Sequence, residues 1–229
     1  MKVYFLLEDQ KSFYIVLPYW LKHIAPGLHL SSGLMDMDEH SYLIESGFGY
    51  PQILLRMEET IETIQENEID LDYFVVCYDT DEDTFDEMQK RETGFRAVFE
   101  KYDISYQPVI IPMTRCFETW LLGNRREYPQ DVSDGFLAFN SFFDVSKHDP
   151  EKMSAPKDYT GSMSMYHYRY LQAMLKASPD GKHNYSKSSP RHVAEAGYYD
   201  ELASRVNDTA DLESFKRFHD FLYGLQSKL

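Results

Sequence analysis

One stretch of the chain, residues 70–83, constrains the fold more than any other, and it reads DLDYFVVCYDTDED. Residues 73–78 within it are an unbroken run of β-formers, long enough for one strand and too short for a helix. Such a run predicts a buried strand. The run is followed within five residues by four acids: Asp79, Asp81, Glu82 and Asp83. We expect these acids at the carboxyl end of a strand, where open α/β sheets bind their ligands.

Asp79 and Asp81 are two residues apart, so an extended backbone points both carboxylates in the same direction. Like charges at that separation repel unless a cation lies between them, and hard oxygen donors suit Mg²⁺ or Mn²⁺. The alternative is a solvated, acidic helix N-terminus, with Asp81 as the N-cap and with Glu82 favourable to the helix dipole. The local sequence leaves both interpretations open.

Length and charge limit the classes of partner. A chain of 229 residues fits one domain, or one domain with a sizeable appendage. The formal charge is −15, and residues 1–123 hold 23 acids against 9 bases, whereas residues 124–229 hold 15 against 14. So acidic a protein repels polyanions at long range. A phosphate substrate would therefore need to be held by a metal, by the near-neutral second half or by a partner.

Cysteine usage and hydropathy indicate the compartment. The two cysteines, Cys77 and Cys116, lack the CxxC spacing of a zinc cluster and do not form a disulfide framework. A reduced, cytoplasmic protein is the simplest expectation. No apolar run approaches the length of a membrane span, so we expect no membrane partner.

Strands and helices alternate along the first half, which predicts an α/β fold with a parallel sheet and helical crossovers. Strands are predicted at residues 2–7, 28–30, 73–78 and 106–112. Helices are predicted at residues 10–23, 51–67, 82–102 and 115–123. Beyond residue 124 the pattern changes to helices at 163–176, 190–206 and 211–225, with a polar linker at 178–189. We therefore predict an α/β core over 1–123 and a mostly helical extension over 124–229, packed on that core.

The order of the acids along the chain resembles that of a known domain family. Glu8 directly follows the first strand, and Asp79-x-Asp81 directly follows a later one. This arrangement resembles the Toprim domain of topoisomerases, primases and OLD-type nucleases, in which a glutamate and a DxD motif in these places bind Mg²⁺. Many Toprim domains have Glu-Gly in the first motif, whereas this chain has Glu8-Asp9.

Three further segments are similar to the small, stand-alone OLD-like Toprim proteins. Residues 117–122, FETWLL, look like the F-E-x-W-L-L segment of those proteins. Residues 149–152, DPEK, and residues 185–187, Tyr-Ser-Lys, look like their D-P-E-K stretch and their lysine-bearing loop. The resemblance runs from about residue 2 to residue 225 and implies a Toprim-like, Rossmannoid sheet.

The resemblance implies roles for individual residues. It assigns metal binding and catalysis to Glu8, Asp79 and Asp81, and it implies that Lys187 meets the negative charge that develops on the phosphate. Phosphodiester cleavage can use two divalent ions about 4 Å apart, for which Asp83 and Glu118 are further carboxylate ligands.

Several of the residues considered for the site also have an ordinary structural interpretation. Glu118 can instead occupy the outer face of a short helix, and Lys187 can be an ordinary solvated lysine. Trp120 is expected in the core beside the site, with base stacking as the alternative. Candidates for phosphate contacts, whose alternative is surface solubility, are Arg115, Arg125, Arg126, Lys182 and Arg191.

The function implied is a Mg²⁺- or Mn²⁺-dependent nuclease acting on DNA or RNA, as the effector of a bacterial defence or toxin-like system. The chain has no GxxxxGK[ST] motif, so an ATPase partner would be a separate chain. A second hypothesis is a non-catalytic regulatory or assembly subunit of such an ATPase complex. A third is a phosphotransferase or nucleotide hydrolase that uses the same acids. Assembly of the chain with copies of itself is left open.

Overall fold

The computed structural model describes residues 1–8, 10–130, 134–179 and 183–229, and it has an α/β architecture. The strands among these residues are β1 (Lys2–Leu7), β2 (His29–Leu30), β3 (Ser41–Ser46), β4 (Tyr73–Asp79) and β5 (Gln107–Met113). The α-helices are α1 (Ser12–Ile24), α2 (Gln52–Glu66), α3 (Phe85–Glu100), α4 (Phe117–Leu121), α5 (Asp134–Phe142), α6 (Met163–Lys176), α7 (Ala196–Asp208) and α8 (Glu213–Gln226).

The described strands form a parallel five-stranded sheet in the order β2-β3-β1-β4-β5. The central strand β1 pairs in parallel with β3 and β4, and Leu7 lies opposite both Ser46 and Cys77. Parallel strands that are covered on both faces need apolar residues at consecutive positions, which explains the run at residues 73–78. The predicted fold class, a Rossmann-like α/β sheet with flanking helices, is confirmed.

The chain divides into two compact units. The first comprises Met1–Tyr78, Asp83–Pro112 and Phe221–Leu229, and the second comprises Asp79–Glu82 and Met113–Asp220. Residues 113–123 thus belong to the second unit, although the sequence-based division had included them in the first domain.

The core of the first unit lies where α2 and α3 cover one face of the sheet. Tyr4 and Phe74 alternate with residues of the opposite face, and their rings lie 4.7 Å apart between centroids. Phe99 of α3 contacts Phe74 edge-on at 5.3 Å. On the other face, Phe221 contacts Phe5 and Tyr73 edge-on. Each fully buried side chain of this kind stabilises the fold by about 1.5–3 kcal/mol.

Trp120 is part of the core of the second unit. Its side chain is completely buried, its indole N–H donates to Ser214 Oγ at 2.7 Å, and its ring stacks on Phe218 at 5.3 Å. The expectation of core packing is confirmed. Base stacking is wrong for this residue, because a fully buried ring has no face to offer a nucleic acid.

Arg205 of α7 is a buried cation within the second unit. Its guanidinium forms an ion pair with Asp211 at 2.8 Å. It also donates to the backbone carbonyls of Gly123, Val145 and His148 at 2.8–3.2 Å. A planar group with five donors is suited to holding several carbonyls at once.

Two elements were missed from the sequence. The strand β3 carries Glu45 between Ile44 and Ser46, and this acid accepts a hydrogen bond from the Tyr4 hydroxyl at 2.7 Å. The polar residues of β3 made it difficult to recognise from the sequence, although the strand is mostly buried. The helix α5 had not been predicted either. No helix among the described residues is both long and apolar enough to cross a membrane.

Candidate functional site

The acidic segment that follows β4 runs beside the end of β5. The Thr80 N–H donates to the Met113 carbonyl at 3.0 Å, and the Asp81 N–H donates to the Arg115 carbonyl at 2.8 Å. Asp81 and Arg115 both have left-handed backbone angles, φ 48° and 63°. Aspartate is among the residues that adopt this region more readily. The segment is therefore held by its backbone, and the Asp79 and Asp81 side chains take fixed positions.

The carboxylates of Asp81 and Glu82 bind the first turn of α6. Ser164 Oγ donates to Asp81 Oδ1, and the Met163 N–H donates to Glu82 Oε1, both at 2.8 Å. Acidic groups are favourable at this end of a helix, where backbone N–H groups lack partners within the helix. The sequence alternative had made Asp81 the N-cap of α3. It is wrong in that detail, because Thr84 caps α3 in a capping box.

Glu118 is the most deeply buried acid of the predicted site. It lies in the first turn of α4 with no exposed side-chain surface. Its Oε1 accepts from the Tyr185 hydroxyl at 2.8 Å, and its Oε2 lies 3.3 Å from Lys187 Nζ. The alternative of an outer-face position on a short helix is therefore wrong. Burial of a carboxylate requires such partners, because an unpaired charge in the interior is costly.

Lys187 interacts electrostatically with both Asp79 and Glu118. Burial by itself lowers the pKa of the Lys187 amine, but the negative charges of Glu118 and Asp79 outweigh it and raise this pKa. The amine is therefore a cation at neutral pH. Its side chain is one-third exposed, so it also faces solvent. We call Asp79, Glu118 and Lys187 the lysine cluster.

Tyr185 was quoted from the sequence only as part of a motif, and its role was missed. Its side chain is buried, and its carbonyl accepts from Gln172 Nε2 of α6 at 2.8 Å. Tyr185 thus attaches its own part of the chain to α6 and, through its hydroxyl, to α4. The signal available in the sequence was an isolated aromatic residue within a polar stretch.

Cys116 lies beside the lysine cluster without the properties of a nucleophile. Burial raises the pKa of its thiol well above the usual value, and the charges of Glu118 and Asp79 raise it further. A protonated, buried thiol reacts poorly. Cys77 and Cys116 are both buried and form no disulfide.

The remaining predicted ligands, Glu8 and Asp83, belong to the first unit. Glu8 Oε1 accepts from the Tyr50 N–H at 3.3 Å, and Asp83 pairs with Arg91 at 2.7 Å. Burial is the largest cause that raises the pKa of the Tyr78 phenol to about 12, and the charges of Asp83 and Glu8 contribute to the increase. The structure thus brings Glu8 and Asp83 around Tyr78. Their roles as metal ligands stay predictions.

The arginines predicted to contact phosphate differ in their surroundings. Arg115 donates to the Asp81 carbonyl at 3.0 Å. Arg126 pairs with Glu201 at 2.8 Å, and Arg125 lies 3.8 Å from Asp211. Arg125 and Arg126 line an open cavity of about 490 Å³. Arg191 is exposed, and Lys182 lies outside the described residues. Phosphate binding by all five stays a prediction.

Comparisons of the chain with protein-family models, with curated proteins and with solved structures give no match. The class that the fold defines is therefore an α/β protein with a Rossmann-like parallel sheet. Beyond this class, the likeness to Toprim proteins depends on the residues quoted above.

Proposed function

We propose that the protein is a metal-dependent nuclease of the Toprim, OLD-like type that cleaves phosphodiester bonds in DNA or RNA. The observation that carries the proposal is the lysine cluster. A fully buried Glu118 lies against a cationic Lys187, and the charge of Asp79, at the end of β4, acts on the same amine. The cluster lies at the carboxyl end of a parallel strand, where ligands bind in such sheets, and charged groups that shift one another's pKa values are common at functional sites.

The donor set fits Mg²⁺ or Mn²⁺, because Asp79 and Glu118 both offer hard carboxylate oxygens. A divalent ion, when bound, would lower the pKa of a bound water and neutralise charge on the phosphoryl oxygens. Asp79 and Glu118 would be its ligands within the second unit. Asp81, whose Oδ1 already accepts from Ser164, would contribute through its other oxygen.

Lys187 is proposed to bind a non-bridging oxygen of the scissile phosphate. Its raised pKa keeps it protonated, and its partial exposure leaves room for an anion to approach. Water would attack phosphorus and release a proton to solvent, the bond to the leaving oxygen would break, and that oxygen would take up a proton from solvent. Lys187 would stabilise the negative charge that increases during this step.

Tyr185 would position Lys187, since its hydroxyl and that amine bind opposite oxygens of Glu118. Glu8 and Asp83 enter the proposal from the resemblance, as further ligands of the divalent ion. Substitution of each tests that assignment separately.

The acidic charge of the chain limits how a nucleic acid would approach. The predicted phosphate contacts Arg125, Arg126 and Arg191 all lie in the near-neutral second half. A separate ATPase, as in the full OLD proteins, would supply regulation and further binding surface. A cytoplasmic role in defence belongs to the same proposal.

The test is a cleavage assay with plasmid DNA and single-stranded RNA in Mg²⁺ or Mn²⁺. Asp79→Asn and Lys187→Met should each remove cleavage, whereas Asp70→Asn, a matched change at an exposed acid of the same stretch, should retain it. Circular dichroism checks that each variant is folded. Undiminished cleavage by folded Asp79→Asn would contradict the proposal.

The second candidate, a non-catalytic subunit of an ATPase complex, is favoured by a different observation. Lys187 and Arg91 already neutralise Glu118 and Asp83 without any divalent ion. Calorimetry separates the candidates, because a purely structural subunit should show no Mg²⁺ or Mn²⁺ binding that Asp79→Asn removes. Phosphate release from nucleotides, measured in the same preparations, would identify a nucleotide hydrolase instead.

A further inference from the structure

A second group of potential metal ligands lies in the second unit, separate from the lysine cluster. Glu127, His183 and His192 each offer one ligand atom, and the three atoms lie within 4.8 Å of one another. Glu127 follows α4, His183 follows α6, and His192 begins the short 3₁₀ helix before α7. The chain thus brings three distant segments together through side chains that commonly bind transition metals.

The two histidines stack face to face. Their ring centroids are 3.6 Å apart and the planes differ by 2°. An imidazole binds a metal through a ring nitrogen that offers a lone pair.

His183 has a nitrogen that lacks a partner. Its Nε2 is buried and makes no hydrogen bond to any residue that the structure describes. A buried polar atom without a partner costs roughly 1–3 kcal/mol. A metal ion bound at Nε2 would remove that cost.

The outer contacts match those of known metal sites. Ser178 Oγ donates to Glu127 Oε2 at 2.6 Å, while Glu127 Oε1 lies 2.7 Å from His192 Nε2. His192 Nδ1, the other ring nitrogen, lies 3.6 Å from the Glu195 carboxylate. A carboxylate behind a ligating histidine fixes its ring and raises its basicity.

We propose that Glu127, His183 and His192 bind one zinc-class divalent ion. Two imidazoles and a carboxylate suit Zn²⁺ or Co²⁺, whereas Mg²⁺ prefers oxygen donors. Donor atoms of a tetrahedral zinc site are roughly 3.3 Å apart, so shifts on the order of 1 Å would complete the coordination. The Glu127–His192 hydrogen bond would open, and the ion would occupy its place.

The ion would attach both ends of one functional segment. His183 and His192 bracket residues 183–192, which carry Tyr185 and Lys187. Binding would therefore restrict the backbone on either side of the lysine. The site itself does not depend on the nuclease proposal, because none of its ligands belongs to the lysine cluster.

The test uses protein without a histidine tag, stripped with a chelator and dialysed. Titration with Zn²⁺ should give one tight site per chain, and Co²⁺ should give the visible d–d absorption of a tetrahedral site. His183→Gln and His192→Gln should each weaken Zn²⁺ binding at least about 100-fold, and Ser178→Ala should weaken it about 10-fold. His29→Gln, at an exposed histidine paired with Asp38, is the matched control and should bind as the wild type does.

Three results would overturn the proposal. They are no stoichiometric Zn²⁺ binding by the wild type, unchanged binding by folded His183→Gln, and loss of the Zn²⁺ site in Asp79→Asn, which would place the ion in the lysine cluster. If the histidine variants do not fold, Glu127→Gln provides the same comparison through the Co²⁺ spectrum. An unaltered spectrum in that variant also contradicts the site.

Discussion

Two buried glutamates of the second unit, Glu118 and Glu127, are neutralised in parallel ways. Each carboxylate accepts from one hydroxyl, Tyr185 for Glu118 and Ser178 for Glu127. Each also lies beside one base from the 183–192 segment. For Glu118 that base is Lys187, and for Glu127 it is His192.

The difference lies in the base. A lysine whose pKa is raised keeps its charge throughout the physiological range, whereas a histidine gains or loses its charge within that range. The Glu118 pair is thus a permanent ion pair, and in the proposed nuclease its lysine is the cation that meets the substrate. The Glu127 pair depends on pH, and in the proposed zinc site its histidine binds the metal in place of a proton.

The largest expected effect is on the rate of cleavage, and it distinguishes the lysine cluster from the group formed by Glu127, His183 and His192. Asp79→Asn should lower the rate of metal-dependent cleavage by roughly 100-fold or more, because it removes a proposed ligand and a negative charge. Glu127→Gln should keep the rate within about tenfold, since Glu127 acts at most through the position of the 183–192 segment. Initial rates at saturating Mg²⁺ measure both. Equal losses would remove the distinction between the clusters.

The second prediction concerns stability. Lys187→Met should lower the free energy of unfolding by about 2–3 kcal/mol, because it leaves the Glu118 carboxylate buried beside an apolar side chain. The estimate is reduced from that for a fully buried pair, since the amine is partly in solvent. Urea denaturation measures the loss. The double variant Lys187→Met with Glu118→Gln should recover most of it, and failure to recover would mean that the pair is not the cause.

The third prediction concerns pH. The hydrogen bond to Glu127 raises the pKa of His192 above its ordinary 6.5, against the effect of burial. Burial by itself raises the pKa of Glu127, but hydrogen bonds from His192 and Ser178 outweigh it and lower this pKa. The contribution of His192 to folding stability is complete below pH 6.5 and is lost as pH rises through the folded pKa of this histidine. The contribution of Glu127 is present above pH 4.5 and is lost as pH falls through the folded pKa of this glutamate.

His192→Gln should therefore cost on the order of 1 kcal/mol between pH 4.5 and 6.5, and less at pH 9. The groups that face His192 are Glu127, Glu195, the His183 ring and the Tyr198 ring. Thermal melts in metal-free buffer across this range measure the cost. Lys187→Met should show a nearly constant cost over the same range. A flat profile for His192→Gln would contradict the pH dependence of the second pair.

The smallest expected effect lies at the surface. Arg126→Ala removes an ion pair between an exposed arginine and the partly buried Glu201, and it should change the free energy of unfolding by less than about 1 kcal/mol. If Arg126 contacts phosphate, the variant should bind nucleic acid more weakly and with a salt dependence reduced by about one unit of slope. Filter binding at several salt concentrations measures this slope. An unchanged slope would leave Arg126 with no role in binding.

The fold was largely predictable because its signals are local. The apolar run at residues 73–78 and the helical spacing of α2 and α8 identify buried elements without knowledge of their partners. The strand β3 was missed, since Glu45 is a charged residue within it whose partners, Tyr4 and Arg56, lie on other elements of the chain. The acids after β4 were placed correctly at the end of a strand. Their partners could not be inferred, because Ser164 and Met163 lie more than 80 residues away.

The two clusters show the same limit of prediction from sequence. Glu118 and Lys187 were singled out through a resemblance, but the burial of Glu118 and its bond to Tyr185 depend on tertiary structure. Glu127, His183 and His192 were missed entirely. Their sequence separations match no metal-binding motif, and only the return of the chain after α6 brings them together.

The buried guanidinium of Arg205 has a practical consequence for any study of divalent ions. Its charge can be neither titrated away at ordinary pH nor removed by a chelator. The carbonyls of Gly123, Val145 and His148 therefore remain anchored to an internal counterion when the protein is stripped of metals. This anchor of the second unit therefore needs no bound divalent ion, so a chelator leaves it in place.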